Sequence, residues 1–93
     1  MDVKELIKEK KGTLIDVREP MELMLDGKID DAINIPLGEI EERIEEIQLF
    51  EKPLILFCRS GNRSGKAIEL LSSKGFDHLY NGMGYADVKA ILD

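Results

Sequence analysis

The sequence predicts an α/β fold: a three-layer arrangement in which a parallel sheet of four to five strands has helices on both faces. Strand-like and helix-like segments alternate four times along the chain, and the connections between them are too long for hairpins. The segment 53–57, PLILF, is apolar throughout, as in a central parallel strand that is covered on both faces. With 93 residues, the chain is expected to form one domain spanning residues 1–93.

The first half of the chain supplies two helices and two strands. Residues 3–10 predict a helix because their apolar residues recur at helical spacing. Residues 13–17, TLIDV, are typical of a buried strand. A short helix begins at Pro20 and places three apolar side chains on one face, those of Met21, Met24 and Leu25. Residues 32–37, AINIPL, predict the second strand.

The second half continues the same alternation. Residues 38–49, GEIEERIEEIQL, predict one helix with an isoleucine stripe on a glutamate-rich background. The apolar strand 53–57 follows, and then a helix over residues 64–74 that ends at a Lys-Gly pair. A last short strand is predicted over residues 76–80 and a closing helix over residues 84–92.

Composition excludes several classes of function. The formal charge of −6 and the pI near 4.8 argue against a nucleic-acid or anionic-membrane surface. The amino-terminal residues lack the apolar segment of a signal peptide, and no apolar run is long enough to cross a membrane. One cysteine forms neither an internal disulfide nor a multi-cysteine metal site. We therefore expect a cytoplasmic protein with no metal and no cofactor.

The only cysteine, Cys58, stands where the apolar strand meets a basic turn, CRSGNRSG. Ligand sites of such folds lie beyond the carboxyl ends of the strands, which is where Cys58 is expected. If Ser64 begins the next helix, backbone N–H groups and a helix N-terminus point toward the thiol. Gly61 can adopt a left-handed conformation that lets successive amides form an anion-binding nest. Three cations follow the cysteine in this acidic chain: Arg59, Arg63 and Lys66.

These features indicate a reactive thiolate. They are expected to lower the pKa of Cys58 from about 8.5 into the range in which a nucleophile forms at neutral pH. The side chains of Ser60, Asn62 and Ser64 can donate further hydrogen bonds. The turn would therefore also bind a small dianion.

Simpler interpretations exist for each of these residues. Cys58 could be a small buried apolar residue, as free cysteines often are. Arg59 and Arg63 could be solvated surface charges. Asp16 and Arg18 end a strand at the expected edge of the site, where they form either an ion pair that braces the cysteine loop or an ordinary strand-end pair.

Three stretches of the sequence, in this order, resemble the rhodanese-like domain family: LIDVREPME (14–22), AINIPL (32–37) and LILFCRSGNRSGKA (54–67). The chain resembles most closely the single-domain thiosulfate sulfurtransferases of the phage-shock type. The resemblance extends over nearly the whole chain and implies the rhodanese-like version of the α/β fold.

The resemblance implies a persulfide mechanism. Cys58 would attack the outer sulfur of thiosulfate or of a persulfide and then pass it to cyanide or a thiol. Loop amides from Arg59 to Ser64 would hold the persulfide, and Arg59 and Arg63 would contact the sulfonate oxygens. The implied partners are a small anionic sulfur donor, a thiol or cyanide acceptor and, as a further candidate, a sulfur-accepting protein.

Two other functions are consistent with parts of the sequence. One is a binding or regulatory module that has the fold without turnover, although the intact cysteine argues against it. The other is a phosphatase or arsenate reductase. Tyrosine phosphatases place five residues between cysteine and arginine, whereas four separate Cys58 from Arg63. The shorter loop suits a single extra sulfur better than a tetrahedral phosphoryl group, and sulfite departs without the general acid that a poor leaving group requires.

The chain departs from the family pattern in three places. GKIDDAINIP (27–36) replaces the GHIPGAINIP of many relatives. NGMGYADV (81–88) replaces a paired glycine and a tryptophan, which leaves the pocket wall near Met83 and Tyr85 unassigned. The first strand of the family is short or absent, so a sheet of four strands is as consistent with the sequence as one of five.

Overall fold

The computed structural model describes residues 1–93 and shows a parallel sheet of four strands in the order β2-β1-β3-β4. The strands are β1 (Thr13–Asp16), β2 (Ile33–Asn34), β3 (Leu54–Cys58) and β4 (Leu79–Gly84). The helices are α1 (Val3–Lys8), α2 (Pro20–Asp26), α3 (Ile44–Gln48), α4 (Asn62–Ser73) and α5 (Tyr85–Leu92). The predicted α/β class is confirmed.

Strand β3 lies in the interior of the sheet, and all five of its residues are buried. Leu54, Leu56 and Cys58 belong to a core cluster that includes residues of α3 and α4. Ile55 and Phe57 point to the opposite face, where the core includes residues of α1 and α5. This alternation follows from the period of two in a strand, and it explains why the whole run is apolar.

The predicted single helix over residues 38–49 is wrong. The chain instead makes two short 3₁₀ turns, Leu37–Glu39 and Glu41–Arg43, before the five-residue helix α3. Glutamates four residues apart, at 41 and 45 and at 42 and 46, would repel each other along a continuous helix. Ile40 and Ile47 are nevertheless fully buried, so the irregular path still places the predicted apolar residues in the core.

The last strand, β4, and helix α4 also differ from the predicted ranges. The strand predicted over residues 76–80 is β4, which begins at Leu79 and continues to Gly84. Phe76 packs in the core and donates its N–H to the Leu71 carbonyl, so it closes α4 and does not start a strand. Helix α4 begins at Asn62, two residues before the predicted Ser64.

Helix α2 presents its apolar face to solvent. Met21, Met24 and Leu25 are 61, 81 and 76 % exposed, although their helical spacing is that of a core-facing stripe. The helix has a capping box between Glu19 and Glu22. No helix has both the length and the hydropathy needed to cross a membrane.

Candidate active site

The candidate site lies beyond the carboxyl edge of the sheet. Cys58 is the last residue of β3, and β1, which pairs with it, ends at Asp16 on the same edge. The segment 59–61 connects β3 directly to α4, so the thiol, the turn and the first residues of the helix are held together by short covalent links. The position matches the general location of ligand sites in open parallel sheets.

The turn after Cys58 curls around the sulfur atom. Gly61 adopts a left-handed conformation with φ of 98° immediately before α4, and its N–H donates to Cys58 Sγ at 3.0 Å. Ser64, in the first turn of α4, places its hydroxyl oxygen 3.5 Å from Sγ. Only 1 % of Cys58 is exposed, so the loop provides most of what surrounds the thiol.

These contacts favour the ionised form of Cys58. Burial raises the pKa of the thiol, but hydrogen bonds from the Ser64 hydroxyl and from the backbone amides of Ser64, Ser60 and Gly61 outweigh it and lower that pKa from 9.0 to about 7. A thiolate is therefore available at neutral pH. The stabilisation comes mainly from hydrogen bonds of the loop, not from the arginine charges that are prominent in the sequence.

Asn81 of β4 holds the loop in place, and sequence reasoning did not identify it. Its amide Nδ2 donates to the Gly61 carbonyl at 3.0 Å, and its Oδ1 lies 2.8 Å from the Ser64 hydroxyl, whose single proton goes to Oδ1 when Cys58 is protonated and to Sγ when Cys58 is ionised. The same Oδ1 also accepts from the Met83 N–H at 2.9 Å. The only signal in the sequence is an asparagine next to a glycine, directly after residues 76–80, the range predicted for the last strand.

Met83 packs over the loop from the same strand. The pairing of β3 with β4 is irregular between Leu56 and Phe57, and Gly82 is left out of the register. Met83 has φ of 72°, which is uncommon for a residue with a side chain. A Cβ placed on Gly61 would lie 2.9 Å from Met83 Cε, so the thioether end touches the turn that encloses Cys58.

Arg63 does not point freely toward the site. Its Nη1 and Nη2 donate to the two carboxylate oxygens of Glu22, at 2.6 and 2.8 Å. This pair joins α4 to α2 across 41 residues of sequence, and sequence reasoning did not identify Glu22. The hydrogen bonds from Arg63 lower the pKa of Glu22 to about 2, so the carboxylate is ionised at any physiological pH.

Four other polar residues of the segment 58–66 are exposed to solvent. They are Arg59, Ser60, Asn62 and Lys66. Neither of the two cations in this set forms an ion pair with a carboxylate of the chain. Of the three cations that follow Cys58 in sequence, Arg59 and Lys66 therefore keep an uncompensated charge, whereas Arg63 does not.

Asp16 and Arg18 form a buried ion pair beside the site. Both residues are 1 % exposed, and the Arg18 Nη2 to Asp16 Oδ2 distance is 2.7 Å. Arg18 also donates to the Gly27 carbonyl at the end of α2, and its guanidinium lies 4.4 Å from the centre of the Tyr85 ring. Neither side chain bonds to residues 58–64. The pair therefore links β1 to α2 and α5 and makes no side-chain hydrogen bond to the cysteine loop.

Comparison with known proteins gives a consistent result. The family model described as "Rhodanese-like domain" matches residues 1–91. The chain belongs to the rhodanese-like domain family. Its four-stranded parallel α/β topology is thus that of a rhodanese-like domain, as the three sequence stretches imply.

Individual relatives agree with this assignment. The domain is 43 % identical over 75 residues to the uncharacterized protein YqhL of Bacillus subtilis, covering 81 % of this chain but only 58 % of that protein. It is 37 % identical over 75 residues to the thiosulfate sulfurtransferase PspE of Escherichia coli, covering 80 % of this chain and 71 % of that one. The structure described as "rhodanese with anions from E. coli" aligns with a TM-score of 0.70 at 36 % identity, over 81 % of this chain and 88 % of that chain.

Proposed function

We propose that this rhodanese-like domain is a sulfurtransferase that moves a sulfane sulfur from thiosulfate or a persulfide donor to a thiophilic acceptor through a persulfide on Cys58. The main support is the 3.0 Å hydrogen bond from the Gly61 N–H to Cys58 Sγ, within a turn that lowers the thiol pKa to about 7. The similarity to a thiosulfate sulfurtransferase over most of the chain supports the same reaction.

The proposed chemistry has two steps. The Cys58 thiolate attacks the outer sulfur of thiosulfate, a new S–S bond forms, and sulfite leaves with the electron pair of the broken S–S bond. An acceptor thiolate or cyanide then attacks the outer sulfur of the persulfide, and the Cys58 thiolate is released again. Neither step needs a general acid, because sulfite and a stabilised thiolate are good leaving groups.

The residues of the turn have distinct roles in this proposal. The amides of Ser60, Gly61 and Ser64 hold the sulfur anion, since the same groups already lower the thiol pKa. Exposed Arg59 attracts the anionic donor, and exposed Ser60 and Asn62 add hydrogen-bond donors at the rim. Arg63 contributes less than the sequence indicated, because its Nη groups are bound to Glu22. Asp16 and Arg18 support the neighbouring elements and do not touch the donor.

The setting of the reaction is also a proposal. A single free cysteine with a thiolate-stabilising loop suits a reducing compartment, and we place the protein in the cytoplasm. The acceptor would be a thiol, cyanide or a sulfur-accepting protein, and none of these requires a metal or a bound cofactor.

The proposed sulfur transfer is tested by measuring the intact mass of the protein. The protein is incubated with thiosulfate, and its intact mass is measured before and after addition of cyanide. We expect an increase of one sulfur atom that disappears with formation of thiocyanate, and neither change in Cys58→Ser. Absence of any sulfur adduct with thiosulfate and with a thiol persulfide would instead favour a non-catalytic module. Release of phosphate from an aryl phosphate would favour the phosphatase alternative.

A further inference from the structure

The ion pair between Arg63 and Glu22 removes a positive charge from the candidate site. Both Nη groups of Arg63 bind the carboxylate, and the two side chains are 33 and 26 % exposed, so the pair lies at the surface beside the cysteine loop. Glu22 comes from α2, whereas Arg63 comes from the first turn of α4. An anionic donor that approaches Arg63 therefore meets a guanidinium whose charge is already neutralised by the hydrogen-bonded Glu22 carboxylate.

The pair is close enough to Cys58 to affect its reactions. The pKa of Arg63 is raised first by its hydrogen bonds to Glu22 and, in smaller part, by attraction to the Cys58 thiolate. Arg63 also directly precedes Ser64, whose hydroxyl oxygen lies 3.5 Å from Sγ, so the residue that binds Glu22 belongs to the loop that encloses the sulfur. Any donor that reaches the sulfur experiences the field of Glu22 as well as that of Arg63.

Sulfur donors differ in the charge that they bring to this position. Thiosulfate is a dianion with three sulfonate oxygens, whereas the persulfide of an uncharged thiol has at most one negative charge. A sulfonate that binds Arg63 must either displace the Glu22 carboxylate or use the remaining guanidinium N–H groups beside that carboxylate, whose negative charge repels it. A persulfide needs only the loop amides that receive its outer sulfur.

We propose that Glu22 is a specificity-determining residue that lowers the reactivity of Cys58 toward dianionic donors relative to donors of lower charge. This inference rests on the proposed sulfur transfer and adds a selection by donor charge. With an uncharged-thiol persulfide, the Cys58 thiolate attacks the outer sulfur of R–S–SH, a new S–S bond forms, the S–S bond of the donor breaks, and RS⁻ leaves with its electron pair. The proton stays on the outer sulfur, and no external oxidant or reductant is required.

The first test measures charge selection without any sulfur transfer. Cys58 is alkylated with iodoacetate, which is anionic, and with iodoacetamide, which is neutral, and the ratio of the two rates is compared between wild type and Glu22→Gln. We expect this ratio to rise about three- to tenfold in the variant, because one negative charge near the thiolate is removed. Added salt should lower the ratio more steeply in Glu22→Gln than in wild type, since an unpaired Arg63 attracts anions over a screened distance.

The second test uses sulfur donors. Rates of sulfur transfer onto Cys58 are measured by intact mass with thiosulfate and with the persulfide of 2-mercaptoethanol. We expect Glu22→Gln to accelerate the reaction with thiosulfate by about three- to tenfold and to change the reaction with the persulfide less than about twofold. Equal slowing with both donors would mean that Glu22 only holds the loop in place, and it would overturn the inference.

Two control variants separate charge from structure. Glu9 is exposed, has no side-chain partner and precedes β1, so Glu9→Gln removes the same charge near the opposite edge of the sheet from Cys58. Glu9→Gln should leave unchanged both the ratio of the iodoacetate rate to the iodoacetamide rate and the ratio of the thiosulfate rate to the persulfide rate. Glu22→Asp keeps the charge with a shorter side chain and should retain wild-type selectivity. A shift in Glu22→Asp as large as that in Glu22→Gln would contradict a charge effect. If wild type accepts sulfur from neither donor, the proposed function fails, even where the alkylation ratio changes as expected.

Discussion

The reactivity of Cys58 depends on a small number of hydrogen bonds from its own loop. A buried thiol in an apolar core resists ionisation, and the core cluster around Cys58 is apolar apart from the turn. Ser64 and the amides of the turn reverse this effect and lower the thiol pKa to about 7. Removing any one of these donors should therefore shift the balance back toward the protonated thiol.

Ser64→Ala is expected to raise the pKa of Cys58. The substitution removes the hydroxyl that lies 3.5 Å from Sγ and leaves the backbone amides in place. One hydrogen bond to a charged group corresponds to about 1 pH unit in the midpoint of the thiol titration. The measurement is the rate of alkylation by iodoacetamide as a function of pH. Ser72→Ala, an exposed serine later in α4, is the matched control.

Gly61→Ala is expected to be more damaging than the loss of Ser64. Gly61 has φ of 98°, a conformation that strains any residue with a Cβ by about 1–3 kcal/mol, and the new methyl group would meet Met83 Cε at 2.9 Å. The turn would have to uncurl, and the amide at position 61 would move away from Sγ. We expect both a lower free energy of unfolding in urea and a higher thiol pKa. A variant that kept the wild-type titration would show that the left-handed turn is not required.

For individual residues, the sequence predicted the cysteine loop but not the distant side chains that bind it. Cys58, Gly61 and Ser64 were predicted together because they are neighbours in sequence and have the right chemistry. Glu22 and Asn81 are 41 and 20 residues from the loop residues that they bind, and no local pattern connects them. The substrate contact expected of Arg63 stays a prediction, and the structure adds its ion pair with Glu22, since a charge in a sequence does not reveal whether a distant carboxylate neutralises it.

Among the secondary-structure elements, strand β4 is important for the site, because its residues connect the sheet to the cysteine loop. The irregular register after Leu56 lets Asn81 face the loop and directs Met83 over Gly61. The sequence underestimated this strand because Asn and Gly are disfavoured in strands, and three of its last four residues are of these types. The central strand was easier to predict, because its five apolar residues are buried on both faces.

Asn81→Ala is expected to loosen the loop. The variant loses the hydrogen bonds to the Gly61 carbonyl, the Ser64 hydroxyl and the Met83 N–H. Leaving these groups without partners should reduce the free energy of unfolding by about 1–3 kcal/mol. Urea denaturation measures this change, and amide hydrogen exchange of residues 59–64 should become faster. Gln48→Ala, an exposed amide side chain on α3, is the control, and an equal effect of the two substitutions would contradict a role for Asn81 in holding the loop.

For the whole molecule, alternation of elements predicted the class of fold but not the order of the strands. Each of the four strands had an apolar segment, and each crossover had room for a helix or turns, which together specify a parallel sheet. The order β2-β1-β3-β4 depends on which strand edges pair, and a single sequence does not contain that information. The exposed apolar face of α2 is a further departure, since its spacing alone predicts burial.

The Glu22–Arg63 pair should also be visible in the acid stability of the whole domain. The pKa of Glu22 is about 2 in the folded protein and 4.5 in the unfolded chain, so the unfolded state binds a proton first as the pH falls. The stabilisation is complete above the unfolded value of 4.5 and disappears as the pH falls through the folded value of about 2. Because solvent screens this surface pair, we expect it to contribute only ~1–2 kcal/mol to the free energy of unfolding.

Urea denaturation at several pH values, from about pH 5 to about pH 2, checks this expectation. Wild type should be more stable than Glu22→Gln at the upper end of the range, and the difference should shrink toward zero at the lower end. Groups such as Glu46 and Asp77, whose pKa values are also lowered by ion pairs, titrate in both proteins and cancel in the comparison. Glu9→Gln should follow wild type throughout. A wild-type advantage that stayed constant down to the lowest pH would mean that Glu22 stabilises the fold through packing and not through its charge.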